Sequence, residues 1–206
     1  MLYTDILRHF GTFGFFELTN AATLTQKSTP TLLQAIHRWQ KEGLIVPIRR
    51  GLYAFPDDLA KNPITPERAA NNVYKDSYVT GLWRLNQLGL IPEGVVELTS
   101  ATRNNPADFN TPLGRFVYQH ISERGFFGYE TIAEGAATIR IATPEKALLD
   151  FFWWKQVEWT AVEFGRWRIQ DPFRKINIRR LKEFAARWRQ PRLTRAVENL
   201  HMYLAA

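Results

Sequence analysis

The sequence contains no cysteine. Disulfides, thiolate-bound zinc and a cysteine nucleophile are therefore excluded. No apolar run approaches the ~20 residues that span a bilayer, and Asp5 interrupts the apolar periodicity of the opening MLYTDILRHF, which does not read as a signal peptide. The four histidines, His9, His37, His120 and His201, are scattered without metal-ligand spacing. The GTFG at residues 11–14 is followed by no GK[ST], and there is neither a dinucleotide loop nor a nucleophile elbow. The expectation is a cytoplasmic protein with no membrane partner, no catalytic residues, no metal and no cofactor.

What is present can fill a core. Of 206 residues, 45% are hydrophobic and 14% aromatic, which argues against bulk disorder. The net charge of +7 is unevenly placed. Residues 1–60 carry 6 basic and 5 acidic side chains, residues 61–150 carry 9 and 10, and residues 151–206 carry 12 and 5. The basic end can meet phosphate, bind an acidic partner or form a solvated face.

Residues 15–55 organise the rest. They read as helix, turn, helix and a two-stranded hairpin, the layout of a winged helix-turn-helix. Ser28 or Thr29 caps the second helix, Pro30 suits its first position and Gly43 ends it, with Leu44 folding back on the last turn. Leu32, Ile36 and Trp39 form an apolar stripe with Leu33 on its flank. Thr31, Gln34, Arg38 and Lys41 share the opposite face. Amides and guanidinium groups there suit base edges, and basic heads suit phosphates. Residues 44–46 and 52–55 are β-prone, joined by residues 47–51 with the paired Arg49 and Arg50 at a basic tip.

Along the chain, residues 3–10 read as a first helix, and Thr19 or Asn20 begins the helix that precedes the recognition helix. Residues 56–63 form a boundary. Thr65-Pro66-Glu67-Arg68 and Thr143-Pro144-Glu145-Lys146 both carry helix-start chemistry. Ser77 is expected to cap a helix over 78–88. Residues 95–99, 114–120, 126–130 and 138–142 read as strands, with turn-forming runs such as 103–110 between them. The helix after Thr143 is apolar apart from Asp150. Residues 178–188 and 193–204 are two amphipathic helices, after an irregular Trp-rich connection.

Four stretches carry a family likeness: EGLIVPIRRGLYAFP, SYVTGLWRLNQLGLIP leading into VVELTSATRN, FFGYE, and RIATPEKALLDFF. In order and spacing, end to end, the chain resembles the AbiE-type (abortive infection) antitoxins, the regulator half of type IV toxin–antitoxin pairs. The resemblance implies a non-enzymatic antitoxin. It would repress its own operon through the N-terminal winged helix bound to inverted repeats of double-stranded operator DNA. It would also counter a nucleotidyltransferase-like toxin without necessarily forming a stable complex. The helix at residues 29–42 and the wing at Arg49 and Arg50 match the family's DNA-reading elements in position, while the long aromatic and basic C-terminal region departs from the family pattern.

The resulting expectation is an α+β fold: a winged helix-turn-helix over residues 1–58, then a mixed α+β domain over 59–206 with a basic helical end. The DNA-binding candidates are Gln26, Lys27, Thr29, Thr31, Gln34, His37, Arg38, Lys41, Arg49 and Arg50. Two rival readings stand beside it. One is a winged-helix protein–protein adaptor with a basic partner-binding tail. The other is a metal-dependent nuclease drawing on Glu97, Asp108, Glu130, Glu145 and Asp150, although Glu145 and Lys146 are adjacent rather than spaced as Glu-x-Lys.

Overall fold

The structure, a computed structural model, describes residues 2–134, 137–171 and 174–205. It is a mixed α+β arrangement of helices and a mixed sheet. The first part comprises α1 (Leu2–Phe10), β1 (Phe15–Glu17), α2 (Leu18–Thr25), α3 (Thr29–Lys41), β2 (Val46–Arg49) and β3 (Leu52–Ala54). Its strands are antiparallel in the order β1-β3-β2. Pro47 lies within β2, so the hairpin turns over Arg50 and Gly51 alone, and Gly51 takes φ +80° to do so. Helix α2 begins at Leu18, before the expected Thr19 or Asn20, and Glu17 supplies no side-chain cap. A hydroxyl is not needed there, because the Leu18 N–H donates to the Gly51 carbonyl at 2.8 Å.

Helix α3 starts and stops as its sequence dictates. The Ser28 hydroxyl accepts from the Thr31 N–H at 3.4 Å, Gly43 adopts φ +70°, and the Leu44 N–H returns to the Trp39 carbonyl at 2.9 Å. Leu32, Ile36 and Trp39 are buried against Ile6, Phe16, Ala21, Tyr53 and Phe55.

The second part comprises α4 (Pro66–Val73), β4 (Ser77–Val79), α5 (Gly81–Gln87), β5 (Leu98–Thr102), β6 (Ala107–Thr111), β7 (Gly114–His120), a 3₁₀ turn (Glu123–Gly125), β8 (Tyr129–Glu134), β9 (Ala137–Ala142), α6 (Pro144–Lys155), α7 (Ala161–Arg166), α8 (Ile178–Trp188) and α9 (Pro191–Ala205). Its strands run in the order β6-β7-β5-β4-β9-β8. The β5–β7 and β4–β9 pairs are parallel, and the others are antiparallel.

Four expectations need correction. Ser77 caps no helix: residues 77–79 are the β4 strand, and helix α5 starts only at Gly81, where φ is +63°. Tyr78 and Val79 are aromatic and β-branched; both pair with β5, and Val79 also pairs with Ile141 of β9. The Ser77 hydroxyl donates to the Tyr74 carbonyl instead. The run 103–110, expected as a turn, contains most of β6, where Ala107 and Phe109 turn inward while Asp108 and Asn110 are exposed. Strand β5 begins at Leu98 rather than Val95, and Val96 is 86% exposed. Strand β8 begins at Tyr129, because Gly128 at φ +74° breaks the run from Phe126. The Trp-rich connection holds the short helix α7, and residues 172–173 within it lie outside the described residues.

Side-chain alternation along the strands feeds two cores. Tyr78, Ala101 and Ala142 face the large cluster built with α5, α6, α8 and α9. Val79, Leu98, Phe116, Tyr118 and Ile141 face the other way, where Ala69, Ala70 and Val73 of α4 meet Ile48, Leu52 and Ala54 of the hairpin. This second cluster joins the N-terminal elements to the sheet. Among the described residues no helix is long and apolar enough to cross a membrane.

Candidate nucleic-acid interface

The buried stripe of α3 fixes which side chains remain outside. With Leu32, Ile36 and Trp39 inward, Thr29, Thr31, Gln34, His37, Arg38 and Lys41 are all exposed. The expected row of Thr31, Gln34, Arg38 and Lys41 therefore lies on open surface. Two members have local partners. The Thr31 hydroxyl lies 2.8 Å from the Ser28 hydroxyl, and Arg38 Nε sits 3.9 Å from Glu42 Oε1 across one helical turn. The latter pair is exposed and weak. No acid occupies the first turn of α3, while Arg38 and Lys41 occupy the last.

The turn into α3 adds two exposed residues. Gln26 closes α2 in the left-handed conformation, at φ 53° and ψ 29°, and Lys27 follows it. Gln26 and Lys27 thus precede the capping Ser28 and the helix start.

The hairpin separates its two arginines. Arg50 is exposed at the turn. Arg49 is half-buried and turned inward: Nη1 donates to the Arg50 carbonyl at 2.9 Å and Nη2 to the Asn72 carbonyl of α4 at 3.3 Å. Burial raises the pKa of the Tyr118 phenol beneath this face, with the positive charge of Arg49 opposing part of the rise.

Leu33, placed at the flank of the buried stripe, is 42% exposed among the polar residues of α3.

The acids considered for catalysis have dispersed partners. Glu97 and Asp108 both pair with Arg115, whose hydrogen bonds hold Asp108 below the usual carboxylate range. Glu145 accepts from the Asn177 N–H at 2.9 Å, Glu130 lies 3.8 Å from Arg180, and Asp150 is buried against Lys146. Among the described residues no three His, Asp or Glu side chains come together as a metal site.

No family model matches this chain, and no curated protein matches it.

Proposed function

We propose that the chain is a DNA-binding autorepressor and antitoxin of a type IV toxin–antitoxin pair. In this reading residues 1–58 act as a winged helix-turn-helix on inverted repeats of operator DNA, and the chain opposes a nucleotidyltransferase-like toxin. The likeness to the AbiE-type antitoxins supports the antitoxin part. The observation that carries the DNA-binding part is the outer face of α3, where Gln34, Arg38 and Lys41 stand exposed over a buried Leu32–Ile36–Trp39 stripe. Such a face offers an amide for adenine or another base edge and cations for phosphate. Leu33, exposed beside it, suits contact with a thymine methyl.

Fluorescence anisotropy on the DNA upstream of its own gene, against scrambled DNA over a salt series, tests this. A preference of ~10³-fold or more marks a sequence-specific regulator. Gln34→Ala is expected to cost about 1–3 kcal/mol on the operator and little on scrambled DNA. Equal, steeply salt-dependent binding to both DNAs would remove the repressor reading.

One observation favours the adaptor as a second reading. Residues 1–60 hold 6 basic and 5 acidic side chains, a small excess for a unit that grips a polyanion alone. Capture of a stable protein complex without measurable DNA affinity would select it.

A further inference from the structure

Arg49 and Arg50 are neighbours in sequence but not in environment. Arg50 projects from the hairpin turn into open surface, whereas Arg49 folds back across the hairpin onto the end of α4. Its partner there, the Asn72 carbonyl, belongs to the last turn of that helix, where carbonyls lack intrahelical partners and the helix dipole is negative. A guanidinium suits that position, because it stays charged and its fork reaches two carbonyls at once. Its Nε is enclosed without a hydrogen-bond partner. The surroundings are built around this contact. Ile48 and Leu52 on the hairpin share an apolar cluster with Ala70 and Val73 of α4, the Tyr118 hydroxyl donates to the Ala70 carbonyl at 2.6 Å, and the Asn72 amide donates to the Arg68 carbonyl at 2.8 Å.

We propose that Arg49 is a positioning residue that contacts no phosphate: it ties the hairpin to the C-terminus of α4 and so fixes where Arg50 and α3 meet DNA. The proposal rests on the DNA-binding reading above. It divides the work of the paired arginines, with Arg50 as the phosphate contact and Arg49 as the strut that presents it.

The test compares Arg49→Ala, Arg49→Lys and Arg50→Ala in the full chain, with two readouts. The first is the salt dependence of operator affinity. Arg50→Ala is expected to lower the slope of log K against log salt by about 0.9, the value for one phosphate contact. Arg49→Ala is expected to weaken binding roughly tenfold, the scale of one lost hydrogen bond to a charged group, with the slope of the wild type. Arg49→Lys, which keeps a donor toward Asn72, is expected to recover part of the loss. A slope lowered by Arg49→Ala as by Arg50→Ala overturns the proposal. The second readout is amide hydrogen exchange without DNA. Arg49→Ala is expected to accelerate exchange at least tenfold at Leu18, whose N–H donates to the Gly51 carbonyl, and in the paired strand residues 52–54, and to leave α3 unchanged, whereas Arg50→Ala does not accelerate it. Unchanged exchange at Leu18 and residues 52–54 overturns the strut by itself. A wild-type protein that shows no operator preference defeats the DNA-binding reading, while the exchange readout still decides whether Arg49 holds the hairpin.

Discussion

Lys146 and Asp150 have no exposed side-chain surface, and they pair one helical turn apart on α6. The carboxylate also accepts from the Tyr78 hydroxyl at 3.0 Å and the Thr80 hydroxyl at 2.8 Å, while the ammonium lies 4.2 Å from the Trp188 ring centroid. Burial lowers the Lys146 pKa and raises that of Asp150, and the attraction between them opposes both shifts. The pair is thus poised against desolvation, and removing one member leaves the other charged and enclosed. Lys146→Met is expected to cost about 3–5 kcal/mol in urea unfolding. The double variant Lys146→Met, Asp150→Leu should recover only part of this, because Tyr78 and Thr80 lose their acceptor. A cost below about 1 kcal/mol for the single change would mean that the pair carries little charge.

Arg103 gives a second prediction at this scale, on the surface. It bonds Asp76 and Glu123 and lies 4.7 Å from the Phe126 ring centroid. The hydrogen bond from Arg103 lowers the Asp76 pKa below its ordinary value of 3.8. A carboxyl depressed in the folded state binds fewer protons than it does in the unfolded chain. Its contribution to stability is therefore present above pH 3.8 and is lost as pH falls below it, through the folded value. Denaturant unfolding between pH 5 and pH 2 should show a fall in stability that is shallower in Arg103→Ala than in the wild type. Identical profiles would remove Arg103 as the cause.

Among the elements, the best-defined helices owe their starts to local chemistry. Ser28, Thr65 and Thr143 each accept a backbone N–H three residues on, and each has a proline in the first turn of its helix. Such short-range signals are legible in sequence, and so was the apolar character of α6. Ser28→Ala is expected to cost about 1 kcal/mol, with α3 exchanging faster at its N-terminal amides. What sequence did not reveal is what distant chain decides. Strand β4 is a strand because β5 and β9 flank it, and no local period over three residues announces that. Likewise β6 lies inside a Pro- and Asn-rich run, and only pairing with β7 makes Ala107 and Phe109 an inward face. For the candidate interface, the exposed face of α3 followed from helical spacing. The inward turn of Arg49 depended on where α4 lay, and its sequence neighbours could not say. Gly128 marks another long-range constraint. At φ +74°, an added Cβ would stand 2.8 Å from the Phe184 ring and 3.1 Å from the Lys146 side chain. Gly128→Ala is expected to lower stability by roughly 1–3 kcal/mol in urea unfolding.

At the scale of the whole molecule, the N-terminal elements do not keep their apolar surface to themselves. Ile48, Leu52 and Ala54 of the hairpin share one cluster with α4 and with Leu98, Phe116 and Ile141 of the large sheet. Arg68, 1% exposed, ties the same region together through the carbonyls of Phe13, Asn62 and Pro63. Thermal unfolding followed by calorimetry is expected to show one transition, because opening either part exposes the surface that both share. Two resolved transitions would mean that the shared cluster couples the parts only weakly.

That cluster also decides where the chain can be cut and rejoined. An exchange of residues 1–58 for a foreign segment would set other side chains against Ala69, Ala70 and Val73, and would strand the carbonyl of Asn72 without its guanidinium. A transplant that continues through residue 73 keeps the hairpin and α4 together but sets a foreign α4 against Leu98, Phe116 and Ile141 of the large sheet. No cut between the hairpin and the sheet leaves this cluster whole, so the N-terminal elements travel between proteins only with the sheet they pack on.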